Sequence, residues 1–347
     1  MNLKRDKYGI HSAGAAILTG RSSITDELEK RIATILQQDQ ALVFSSGWMA
    51  CFSAIAGLVT KEDCIVMDSL SHNCLDVAAH YATTNVFKFM HNNIEDLENK
   101  LKSLRAKNAQ NGIFIVVESL YSMNSDGPDL KAIQQLAITY DAILIIDVAH
   151  DFGCLGTHGL GNLENMQLEN AENLVITGSF SKTFASNGGF VAGSQVIRQR
   201  ITFFGPTYTF SNAISPVQCA IVNSAMQIVF SHEGELLRAK LMENILHILK
   251  CMHQAGFKTN GNPSAIIPVL IGDERLARLI SKNITQSGVI ANLIEYPAVP
   301  RGKAIFRFQM MANYTKDVIE KTLALFIKAY QRASAELEII DGQKLAA

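Results

Sequence analysis

The sequence predicts an α/β protein: a mostly parallel sheet flanked by helices in a large domain, with a smaller α+β domain at the C-terminal end. Three observations carry that prediction. Apolar runs of strand length recur at Cys64-Ile-Val-Met-Asp68, Gly112-Ile-Phe-Ile-Val-Val-Glu118 and Ala142-Ile-Leu-Ile-Ile-Asp147. Lacking the alternation of a half-exposed strand, they read as strands covered on both faces. Stretches of helical spacing lie between them, the order that builds parallel sheets. Finally, 347 residues at 48% hydrophobic content bury a large core and leave length for two domains.

In chain order, residues 1–24 are rich in Gly, Ala and Ser and read as an arm. Thr25 is the expected N-cap of a helix over Asp26–Leu36, with acids in its first turn and Leu28, Ile32, Ile35 and Leu36 on one face. Ala41–Ser45 is a short strand, and Ser46-Gly47-Trp48 turns it into an apolar helix reaching about Leu58. The free amides at such a helix start suit a phosphate, although Gly47 equally fits a turn that needs an open φ. After the Asp68 strand come Ser71-His72-Asn73, where a histidine is ordinarily solvated or capping. A strand at Asn85–Phe89 and a helix at Glu95–Leu104 follow, then the Glu118 strand and a helix over Leu130–Tyr140.

Open α/β sheets bind ligands at the carboxyl ends of their strands. Asp147 and His150 stand at that edge, where an aspartate either serves a ligand or caps the next turn. Past the run Leu174-Val-Ile176 stand Ser179, Ser181 and Lys182, ahead of Gly188-Gly189. A lysine so placed can hold an aldehyde cofactor as a Schiff base while the hydroxyls bond its phosphate; the alternative is a lysine in water. A long amphipathic helical region from Ala213 to Met252 leads to strands near Ala265–Leu270 and Ile305–Gln309. Arg307 lies inside the second strand, which is costly without an anionic partner, be it a ligand or a structural salt bridge. Beyond Ser334 a frayed tail is expected.

Composition narrows the function classes. A net charge of −1 and no basic patch with interleaved aromatics argue against nucleic acid or an anionic membrane as a partner. No apolar stretch reaches membrane-spanning length without polar interruption, and the charged start, Met-Asn-Leu-Lys-Arg-Asp-Lys, lacks a signal-peptide core. The six cysteines stand singly, without C-x-x-C pairs, and read as reduced core residues of a cytoplasmic protein rather than a disulfide frame or a zinc site.

Several of these segments, in this order from about Tyr8 to Phe326, resemble the α-oxoamine synthases among the pyridoxal-phosphate (PLP) enzymes of aminotransferase fold type I. That family includes ketobutyrate CoA ligases, oxononanoate synthases and serine palmitoyltransferases. The matching pieces are Ser46-Gly-Trp48, Asp68 with His72, Tyr121-Ser-Met-Asn-Ser-Asp-Gly127, Asp147-Val-Ala-His150, Ser179-Phe-Ser-Lys182, Phe210-Ser-Asn212, Pro297-Ala-Val-Pro-Arg-Gly302 and Arg307. The resemblance implies an arm at 1–24, a large PLP-binding domain at 25–230 and a small domain at 231–347. Lys182 is then the Schiff-base lysine, and Asp147 the acid that keeps the pyridine nitrogen protonated. His72 and His150 stack on or bond the cofactor, and Ser122 bonds its phenolic oxygen. Gly47, Trp48, Ser179 and Ser181 meet the phosphate. Ser211 and Asn212 reach it across a homodimer interface, giving shared active sites, and Arg307 clamps the substrate carboxylate.

The implied reaction condenses a small amino acid with an acyl-CoA thioester to an α-aminoketone. An aminotransferase or lyase of the same fold is the alternative, since fold fixes cofactor chemistry more firmly than substrate. A non-catalytic partner subunit is disfavoured by the presence of Lys182. The chain departs from the family pattern in its late start and at Ala16, Cys51, Cys74, Val148, Asp151 and Tyr314. These positions lie where the family selects its substrates.

Overall fold

The computed structural model describes residues 7–169 and 171–345. The chain forms two compact units: residues up to Tyr121 with Gly127–Glu235, and Ser122–Asp126 with the chain from Leu236 onward.

The first unit begins with a short π-helical turn at Ala16–Gly20 and then α1 (Ser23–Ile35). The cap falls on Ser22, not the expected Thr25, which is buried and donates its own N–H to the Ser22 carbonyl. Next come β1 (Gln40–Phe44), α2 (Gly47–Leu58), β2 (Cys64–Asp68), α3 (Asn73–Ala82), β3 (Val86–Phe89), α4 (Ile94–Lys107), β4 (Ile113–Glu118), α5 (Leu130–Thr139) and β5 (Ile143–Asp147). β6 (Leu174–Ser179), β7 (Gly189–Gly193), α6 (Gln195–Phe204) and α7 (Pro216–Val229) complete it, and α8 (His232–Gln254) carries the chain into the second unit. The helical region expected as one piece is therefore two helices, broken at Phe230-Ser231.

The seven strands run in the order β1-β7-β6-β5-β4-β2-β3. β3, β2, β4, β5 and β6 are mutually parallel, whereas β7 is antiparallel to both β6 and β1. The sheet buries both faces, as the unbroken apolar runs require. Leu144 and Ile146 pack with α1, α4, α5 and α7, while Ile145 between them packs with α2, α3 and α6. One consequence matters for function. The parallel strands β2, β4 and β5 deliver Asp68, Glu118 and Asp147 to a single edge, all three buried.

In the second unit, β8 (Ile266–Gly272), α9 (Glu274–Gln286), β9 (Asn292–Ile294) and β10 (Ala304–Gln309) precede α10 (Lys316–Leu345). Its antiparallel sheet has the order β8-β10-β9. Ser125 straps the Ser122–Asp126 segment onto it, its hydroxyl 2.8 Å from the Ile266 carbonyl and 2.7 Å from Ser264 Oγ. The frayed tail expected beyond Ser334 is instead the continuation of α10. Good helix formers such as Ala335, Glu336, Leu337 and Glu338 favour it, and Lys282–Glu336 and Arg275–Asp341 pairs tie it to α9.

Candidate active site

The cleft at the carboxyl edge of β5 and β6 is lined by Gly47, Trp48, Cys51, His72, Cys74, Asp147, Ala149, His150, Gly178, Ser179 and Lys182. Each side chain arrives there for a local reason. β5 ends in Asp147, paired in register with Thr177 of β6 on one side and Glu118 of β4 on the other. β6 ends at Ser179, and the turn that follows exposes Lys182. α2 points its first turn into the cleft.

That first turn is tightly seated. A methyl group on Gly47 would lie 2.6 Å from Ser179 Cβ, and one on Gly189 would lie 2.5 Å from Gly47 Cα. Gly47 is not among the positive-φ positions, so close approach of three backbones, and not an open φ, is what requires glycine there. Ser46 caps the Met49 amide at 3.2 Å, and the Ala50 amide bonds the Ser46 carbonyl. Among the described residues the amides of Gly47 and Trp48 have no acceptor, and they sit at the positive end of the helix. Ser179 Oγ accepts the Ser181 N–H at 3.2 Å, which holds the two hydroxyl-bearing residues beside one another. The Trp48 ring stacks on Phe52 with centroids 5.2 Å apart.

Deeper in the cleft, Asp147 accepts the Ala149 N–H at 3.0 Å on Oδ1 and faces Cys51 Sγ at 3.5 Å on Oδ2. Burial pushes its carboxyl up from the ordinary value, and the nearby Lys182 charge pulls the other way. No cation hydrogen-bonds it among the described residues. His72 caps α3: Nδ1 accepts the Cys74 N–H at 3.2 Å and stands 2.9 Å from Cys74 Sγ. That thiol contact raises the imidazole pKa. The capping reading of His72 is thus correct, and the residue lines the cleft as well. His150 Nδ1 stands 3.8 Å from Glu118 Oε2, while Glu118 Oε1 accepts the His72 backbone N–H at 2.6 Å. Glu118, driven up by burial and then by the Asp147 charge, therefore positions both histidine segments.

Three residues outside the expected set belong to this constellation: Glu118, Cys51 and Cys74. A strand-ending acid resembles any other in sequence, and the two cysteines meet only because α2 packs on α3. The neighbouring Cys51 and then His72 pull the Cys74 thiol pKa down to about 6, whereas that of Cys51 is pushed up.

Five expected residues do not line the cleft; one of them, Ser181, is exposed beside Ser179. Ser211 contacts Met49 Sδ at 3.7 Å, and the Asn212 carbonyl accepts from Ser45 Oγ at 2.6 Å, behind α2. Ser122 falls in the segment grouped with the second unit. Arg307 stands on β10, its Nε buried without a hydrogen-bond partner and its guanidinium pKa lowered by burial. Chemically, the cleft offers an anion cradle at the α2 terminus, a carboxylate awaiting a cation, flanking imidazoles and a primary amine.

Known proteins resemble the chain over most of its length. Residues 3–326 match the family described as aminotransferase class I and II. The chain is 30% identical, over 93% of its length and 83% of the relative's, to a putative 8-amino-7-oxononanoate synthase of Desulfovibrio desulfuricans. It is 29% identical, over 95% and 81%, to a serine palmitoyltransferase of Sphingobacterium spiritivorum. Among solved structures, Sphingomonas wittichii serine palmitoyltransferase superposes with a TM-score of 0.89 at 25% identity, covering 96% of this chain and 83% of that one. A serine palmitoyltransferase structure described as carrying a PLP internal aldimine matches with the same figures. No described helix is long and apolar enough to cross a membrane. The chain belongs to the aminotransferase class I and II family, in its PLP-dependent α-oxoamine synthase group.

Proposed function

We propose that this PLP-dependent acyltransferase condenses a small amino acid with an acyl-CoA thioester at the cleft around Lys182. The observation that carries the reading is the convergence of Lys182, Asp147 and the open α2 terminus on one cleft. The residues fit the cofactor. The Gly47 and Trp48 amides with Ser179 and Ser181 would hold its phosphate, Asp147 would hold its ring nitrogen in the protonated state, and Lys182 would bind its aldehyde. When bound, PLP supplies an electron sink conjugated to the substrate's α-carbon.

The chain's own groups do the rest. Lys182 Nζ would be the base that takes the substrate's α-proton. Asp147 keeps a positive charge beside it in a site where burial makes that pairing strong. His72 and His150, fixed through Glu118, would hold the cofactor and bond the acyl carbonyl. The new bond joins the α-carbon to the acyl carbon, the carbon–sulfur bond breaks, and the CoA thiol leaves. The unpaired Nε of Arg307 fits a carboxylate clamp for the amino acid. Ser122 serves the cofactor's phenolic oxygen in this reading.

We read the large unit as the cofactor domain and the smaller as the carboxylate-binding domain. Ser211 and Asn212, off the cleft, serve the cofactor across the interface of a homodimer. The exposed Phe203, Phe204 and Phe210 in the same stretch of chain supply that interface with apolar surface. Six cysteines outside any disulfide fit a cytoplasmic setting.

The test has two parts. Borohydride reduction of the PLP-loaded protein should fix a pyridoxyl mass on Lys182. With the unreduced holoprotein, glycine, serine or alanine plus acyl-CoA should release free thiol without keto-acid product. Label on another residue defeats the site assignment, and keto acid in place of thiol indicates an aminotransferase. Restored activity on mixing Lys182→Ala with Asn212→Ala chains would demonstrate shared sites.

A further inference from the structure

Cys51 and Cys74 were read from the sequence as isolated core thiols. The packing of α2 on α3 brings both to Asp147: the two sulfurs and a carboxylate oxygen all lie within 4.8 Å of one another, and all three residues are buried. The spacing has a chemical meaning. In tetrahedral zinc a sulfur bonded at about 2.3 Å and a carboxylate oxygen at about 2.0–2.2 Å stand about 3.5 Å apart. The Cys51 Sγ to Asp147 Oδ2 separation is 3.5 Å.

Two thiolates with one carboxylate select a thiophilic dication over magnesium or calcium, whose ligands are all oxygen. Three protein ligands with the fourth position facing a cleft is the arrangement of an open zinc site. His72 Nδ1, which stands 2.9 Å from Cys74 Sγ and accepts the Cys74 N–H, orients that sulfur from outside the ligand set.

We propose that Cys51, Cys74 and Asp147 bind zinc(II) in the cofactor-free protein, releasing the thiol protons to solvent, and that zinc and PLP exclude one another. The exclusion rests on the role of Asp147 given under Proposed function, because one carboxylate cannot both ligate the metal and hold the ring nitrogen. The metal site itself does not rest on it.

The experiment uses the full chain, stripped of cofactor by dialysis against hydroxylamine under reducing conditions. It is titrated with cobalt(II) as a spectroscopic stand-in and with zinc(II) against a chromophoric chelator. The expected result is a single ion per chain with thiolate-to-cobalt charge-transfer absorption. Cys51→Ser and Cys74→Ser each weaken zinc binding roughly tenfold or more, and the double variant loses the band. Cys251→Ser, whose sulfur lies 3.8 Å from His247 Nε2 in the second unit, changes neither. Cys51→Ala and Cys74→Ala repeat the measurement, with circular dichroism melting, so that a misfolded variant does not decide it.

Absence of charge transfer, a band that survives in the double variant, or dependence on Cys251 overturns the site. PLP added to zinc-loaded protein should release the ion in proportion to cofactor bound; retention of both overturns the exclusion. Should Lys182 never form an imine, the proposed function fails while the metal titration stands unchanged.

Discussion

Asp147 ends β5 and Asp151 follows four residues later in the turn beyond it; both are buried, yet the surroundings of each have opposite purposes. Asp151 is closed in by its own fold: Ser119 Oγ donates to Oδ1 at 2.5 Å, the Asn162 N–H donates to Oδ2 at 2.8 Å, and Gly161 lies against it so closely that a methyl there would fall 2.4 Å from its carboxyl carbon. Asp147 receives one backbone N–H and a thiol and opens onto the cleft. A buried charge that the fold fully satisfies is structural, and one left short of a countercharge waits for a ligand. Arg307 mirrors Asp147 with the sign reversed.

The sharpest test of that contrast starts with the amine that shares the cleft with Asp147. Lys182→Ala should lower turnover by at least ~1000-fold while leaving the melting curve of the cofactor-free protein unchanged. Next, Asp147→Asn should cost ~100-fold or more in turnover with little loss of stability. Asp151→Asn should do the reverse: about 1–3 kcal/mol lost in denaturant unfolding, since its amide faces two donors, with turnover of the folded fraction nearly unchanged. If both variants lose activity equally, the distinction between the two acids is wrong.

A smaller effect separates them by pH. Burial raises the Asp151 carboxyl from 3.8 to about 6 and Glu29, beneath Arg21 and Arg198, from 4.5 to about 7. An acid whose folded-state pKa lies above its unfolded value holds the extra proton only when folded. Its contribution to stability is therefore largest at low pH and declines between those two values. Chemical-denaturation midpoints across pH 4–7 should show that decline, and Glu29→Gln should flatten its share of it. The smallest expected change is at Asp341, paired with Arg275 in water: Asp341→Ala should cost below about 1 kcal/mol, read as a shift in the urea midpoint.

The parts legible in the sequence were those that short-range pattern determines. β2, β4 and β5 could be read because burial on both faces leaves an unbroken apolar run ending in an acid. β7 is not legible: Gly189-Phe-Val-Ala-Gly193 carries glycine at both ends, and Gly189 answers to Gly47 across space, not to strand propensity. The helix after Ser334 was missed because its ion pairs to α9 are tertiary. Within the site, Lys182, Asp147, His72, His150, Gly47, Trp48 and Ser179 share one cleft. The Cys51–Cys74 approach and the hold of Glu118 on two histidine segments depend on helix packing and strand register, which no local pattern records.

The crowding of Gly47 against Ser179 and Gly189 divides α2 into two storeys. On the lower, peptide touches peptide, and even a methyl group would prise the anion cradle off the sheet, leaving no latitude for change. One turn up, Cys51 meets the sheet through its side chain alone, its sulfur 3.5 Å from Asp147 Oδ2 and 3.4 Å from Thr177 Oγ1. A substitution on the lower storey must therefore shift main chain, whereas one on the upper exchanges side-chain contacts.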